Sequence, residues 1–175
     1  MNPKKQFRIG FVGLPTGKHL FSFEIGPEFF SGFEAVAFEE GKLLLDLEME
    51  KGNNMLAFHF RFNGTVILEC DRCLEGYRQD LEFEKRLLVK FGESYSEQTD
   101  EIVLIPSTES HVDVSQFVYE FIHLGLPLRH VHPDTEDNEP GCNPVVLKKL
   151  REHQARGGSG NDDSTWDALK GIKFD

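Results

Sequence analysis

From Ala35 to Phe91 the pattern of apolar and polar side chains becomes regular. Leu43, Leu45, Leu47 and Met49 fall on one parity and Leu44, Asp46, Glu48 and Glu50 on the other, which is the pattern of a half-buried strand. Lys51-Gly52-Asn53-Asn54 then reads as a turn. Over residues 55–62, Leu56, Phe58, Phe60 and Phe62 stand against Ala57, His59 and Arg61, and Asn63-Gly64 reads as the close of that strand. Residues 65–68 lead into Glu69-Cys70-Asp71-Arg72-Cys73-Leu74-Glu75-Gly76-Tyr77, and alternation resumes over 77–91 with Leu81, Phe83, Leu87 and Val89. Four consecutive strands joined by tight turns predict an antiparallel meander.

Ahead of the meander, residues 7–12 and 19–25 read as two strands joined by a Pro/Gly loop, and residues 28–33 as a single helical turn. After it, residues 95–100 are polar and read as a loop, and Ile102-Val103-Leu104-Ile105-Pro106 as a short strand. The best-signalled helix covers residues 113–125. Asp113 caps it, Gln116 stands three residues on as in a capping box, Val114, Phe117, Val118, Phe121 and Ile122 form the apolar stripe, and Gly125 stops it. Asn143 and Pro144 suit the start of another helix through Val145, Val146, Leu147 and Leu150. The glycine-rich residues 157–164 read as a linker, followed by a short amphipathic helix bearing Trp166, Leu169 and Ile172. The expected architecture is α+β: an antiparallel sheet, barrel-like if it closes on itself, with one packed helix. Residues 1–156 form a single domain, and residues 157–175 a linker and a helical C-terminal arm.

Charge narrows the partners. Nineteen basic residues against thirty acidic ones leave a formal charge of −11, the wrong sign for a chain that neutralises many phosphates. A basic protein suits such a surface better than naked nucleic acid. Neither a signal-peptide core nor an apolar run of about 20 residues is present, so the expected location is the cytoplasm and no membrane is expected to be a partner. Three cysteines are an odd number for a disulfide framework and point to reduced or metal-bound thiols.

Cys70 and Cys73 form a Cys-x-x-Cys turn between strands. The redox use of that motif needs a following helix to depress the thiol pKa, and here Gly76 and renewed strand alternation follow, so a thiol-based redox protein is the weaker reading. Two thiolates so spaced can grip one metal ion from a single turn. With His132 and Cys142 they make a Cys₃His set of the kind that holds structural zinc, His130 being an alternate for His132 because residues two apart in an extended segment face the same side. The plainer reading leaves reduced thiols and ordinary surface histidines. No nucleophile elbow, phosphate-binding glycine loop or His-Glu-x-x-His helix occurs, and the carboxylates lie mostly on alternating strand faces, so no enzymatic activity is expected. Trp166, Leu169 and Ile172 line one face of a helix too short to stand alone, and are candidates for binding a partner.

A strand meander ending in Cys70-Asp71-Arg72-Cys73-Leu74-Glu75, a helix leading to Leu126-Pro127-Leu128, a His/Cys region ending at Cys142 and a closing Trp166-Asp167-Ala168-Leu169-Lys170 occur in that order. From about Ala35 onward this resembles the YceD family of bacterial and plastid proteins, described as large ribosomal RNA subunit accumulation proteins. The resemblance implies a non-enzymatic factor needed for large-subunit ribosomal RNA to accumulate. Its partner would be a ribosomal protein or a large-subunit assembly intermediate, with direct contact to RNA as the alternative and no role for DNA. Many members carry several cysteines after the Leu-Pro-Leu segment, whereas this chain has His130, His132 and Cys142 there, which fits an exchange of histidine for cysteine.

Overall fold

The computed structural model describes residues 6–33, 36–38, 40–134 and 140–157, with side chains through residue 153. The linker beyond Gly157 and Trp166, Leu169 and Ile172 lie outside the described residues. In chain order the elements are β1 (Arg8–Gly10), β2 (Gly17–Ile25), α1 (Pro27–Phe30), β3 (Glu40–Lys51), β4 (Met55–Glu69), β5 (Gly76–Gly92), β6 (Ser96–Thr99), β7 (Ile102–Pro106), β8 (His111–Asp113), α2 (Ser115–Leu124) and α3 (Pro144–Gly157). Contacts divide the chain into one unit ending at Val131 and a second beginning at His132.

The first unit carries a six-stranded sheet in the order β2-β3-β4-β5-β7-β6 and a two-stranded one, β1-β8. The meander β2 to β5 is antiparallel throughout, as its alternation requires. Leu45 faces Phe62, Leu47 faces Phe60 and Met49 faces Phe58 across β3 and β4, and all six are buried. Each such side chain taken out of water contributes about 1.5–3 kcal/mol. α2 lies on this buried face: the Phe121 ring meets Phe60 edge-on at 5.2 Å, and Val118 and Ile122 are buried beside it. The fold is α+β, and among the described residues the sheet is open, with β2 and β6 at its edges rather than closed into a barrel.

Several local expectations are corrected. Asn63-Gly64 is not a turn, since β4 runs unbroken through it with Gly64 opposite both Leu43 and Leu81. A Cβ on Gly64 would strike the Lys42 carbonyl and stand 2.6 Å from Leu43 Cα, so glycine is there for close approach of two strands. Residues 96–99 form an exposed edge strand, invisible to periodicity because nothing in it is buried. β7 pairs with β5 in parallel, so the whole sheet is mixed. β1 pairs with β8, not with the strand that follows it.

The N-cap of α2 is Val114 rather than Asp113; Asp113 stands one position earlier, its Oδ1 accepting from the Ser115 N–H at 3.0 Å and the Ser115 hydroxyl at 2.6 Å. Gln116 does not complete a capping box, because its amide donates to Glu120 one turn on at 2.7 Å. In the second unit Asn143 Oδ1 accepts from the Val145 N–H at 3.0 Å, and Pro144 opens α3, as their types favour.

Candidate metal centre

β4 and β5 pair down to Glu69 opposite Gly76, so residues 70–75 form the tip of a long hairpin. The Leu74 N–H donates to the Cys70 carbonyl at 2.9 Å and the Cys70 N–H to the Glu75 carbonyl at 3.1 Å, curling the tip into a knuckle. Leu74 has φ of 61°, the left-handed region that costs a non-glycine residue roughly 1–2 kcal/mol. The curl buries both thiols, Cys70 completely and Cys73 to 7% exposure. None of the three cysteines is in a disulfide.

The knuckle holds a second segment of the same unit. The Asp71 N–H donates to the His130 carbonyl at 2.7 Å, and the His130 N–H donates back to the Asp71 carboxylate at 2.8 Å. Burial raises the phenol of Tyr77, the second residue of β5, above its ordinary value, the Val131 backbone opposes that shift, and the neighbouring Cys70 and Asp71 add to it.

The second unit opens with His132, half-buried. An isolated antiparallel bridge pairs Asp134 with Pro140. Gly141 backs so closely onto the Pro133 carbonyl that no Cβ would fit, and that position lies 3.4 Å from His132 Cβ. Cys142, 4% exposed, follows directly and precedes the capped start of α3.

The ligand atoms of Cys70, Cys73, His132 and Cys142 all lie within 4.8 Å of one another. For comparison, a tetrahedral ion with metal–sulfur bonds of about 2.3 Å sets its sulfurs about 3.8 Å apart. Three soft thiolates and an imidazole fill four positions, and the set could hold a metal with none left for a reacting ligand. His132 belongs to this group. His130 does not.

The tether of Asp71 and the close approach at Gly141 were not apparent in the sequence; the only hint is a short polar residue inside the Cys-x-x-Cys turn. A groove of about 400 Å³ on the outer sheet face is lined by Leu20, Ser22, Asp46, Glu48, His59 and Arg61 among others. Its carboxylates are partnered: Ser22 donates to Asp46 at 3.1 Å, and Lys18 pairs with Glu48 at 2.8 Å. Among the described residues no helix is long and apolar enough to cross a membrane.

No curated protein and no solved structure significantly matches the chain. Residues 58–173 match the family described as large ribosomal RNA subunit accumulation protein YceD, a span that begins within β4 and takes in the knuckle, α2, His132, Cys142 and α3. The chain therefore belongs to the YceD family, whose name places its role in the accumulation of large-subunit ribosomal RNA.

Proposed function

We propose that this protein is a non-enzymatic cytoplasmic factor that supports accumulation of large-subunit ribosomal RNA during ribosome assembly. In this reading it acts through a basic protein partner, and Cys70, Cys73, His132 and Cys142 hold a structural zinc ion. Family membership over most of the chain carries the assembly role. Support for zinc comes from the donor set, since three thiolates and one imidazole filling all four positions is a structural rather than a catalytic arrangement. The formal charge of −11 supports a basic ribosomal protein, or an assembly intermediate that exposes one, over direct RNA binding. Trp166, Leu169 and Ile172 are proposed to dock that partner, on the strength of their helical spacing alone.

The test is to delete the gene and measure large-subunit against small-subunit ribosomal RNA, and to recover the tagged full-length protein from growing cells. The expected result is a lower ratio, restored by the wild-type protein, together with co-purification of a large-subunit ribosomal protein. An unchanged ratio would refute the assembly role. Nanomolar binding of purified protein to large-subunit RNA at physiological salt would instead establish a module acting directly on RNA.

A further inference from the structure

Within the Cys-x-x-Cys turn, Asp71 stands between the two cysteine ligands and is solvent-exposed, yet it makes the two bonds that tie the knuckle to residue 130. Its N–H and its carboxylate together engage both backbone polar groups of His130, at 2.7 and 2.8 Å. A residue gripped at both its N–H and its C=O has its backbone fixed in position and register. His132 lies two residues on, so its Cα is confined to within about 7 Å of that anchor.

We propose that Asp71 is a positioning residue for the metal site, presenting His132 to the two knuckle thiolates by clamping the His130 backbone. The inference rests on the metal reading above. The chemistry makes the clamp distinguishable from an electrostatic role. The carboxylate could act by its charge on the site or as a hydrogen-bond acceptor, and substitution separates the two. An amide oxygen in the same place accepts the same bond without the charge, while a methyl group does neither.

The experiment compares wild type, Asp71→Ala and Asp71→Asn as full-length zinc-loaded protein. Zinc affinity and release rate are read by competition with a chromophoric chelator, and melting of the zinc-free proteins is read in parallel. Removing a group that orients a metal ligand lowers affinity on the order of 10-fold, so Asp71→Ala is expected to bind zinc about 10-fold more weakly and release it faster. Asp71→Asn should remain close to wild type, and all three zinc-free proteins should melt alike. If Asp71→Ala matched wild type, or if Asp71→Asn were as weak as Asp71→Ala, the clamp would be overturned while the metal site stood. If wild type bound no zinc, the metal reading itself would fail and take the clamp with it.

Discussion

Replacing Gly64 by alanine tests the most specific packing claim in the sheet. The added Cβ would lie 2.6 Å from Leu43 Cα and 3.1 Å from Leu43 Cβ, and closer still to the Lys42 carbonyl. Carbon atoms settle at about 3.5–4.0 Å, so β3 and β4 must part locally by about 1 Å. Neither strand can move alone, because β3 is also paired to β2 and β4 to β5. Overpacking of this kind costs about 1–3 kcal/mol, and weakening a ladder bond or two adds about 1 kcal/mol each. Against this, alanine restricts the unfolded chain and returns about 0.4–1 kcal/mol. The expected net loss is about 2–3 kcal/mol, measured by urea unfolding followed by far-ultraviolet circular dichroism. Gly10→Ala is the control, since a Cβ there meets nothing within 4 Å, and its effect should stay within about 0.5 kcal/mol. A Gly64→Ala protein as stable as wild type would refute the close approach.

Phe121→Ala should cost about 3–5 kcal/mol, because the ring is buried edge-on against Phe60, whereas Phe117→Ala, from a half-buried position on the same helix, should cost clearly less; equal losses in urea unfolding would contradict the seating of α2. Partial desolvation of a side chain that stays more than half exposed, together with the bond donated to Glu97, pushes the Tyr95 phenol up to about 12. A raised folded pKa means that this contribution to stability is complete below the unfolded value of about 10 and is lost as pH climbs toward 12. In a stopped-flow pH jump read at 295 nm, a phenol ionising near 12 should vanish in Tyr95→Phe; its persistence at full amplitude would count against the assignment.

The meander was legible because one face of β3, β4 and β5 is buried and the other is wet, so Leu43 to Met49 and Leu56 to Phe62 carry the period of the pleat. Gly64 misled because Asn-Gly is a strong local turn signal, while the demand for glycine there comes from a neighbouring strand distant in sequence. The unbroken parity from Phe62 to Val66 and Leu68 was the clue that β4 continues. Ser96–Thr99 buries nothing, and the parallel pairing of β7 with β5 depends on a long-range choice that no local pattern records. At the candidate metal centre the thiols could be picked out by type and spacing alone. The choice between His130 and His132 could not, because it depends on which imidazole the fold brings near the thiols, and neighbouring histidines look alike in sequence.

Zinc content of the full-length protein, purified without added metal, tests the central claim most directly. Elemental analysis should find close to one zinc per chain in wild type and a marked loss in Cys70→Ser and Cys142→Ser, with chelation lowering the melting temperature because the ion binds only the folded chain. Wild-type protein that carries no zinc, takes none up, and melts at the same temperature with and without it would contradict the claim.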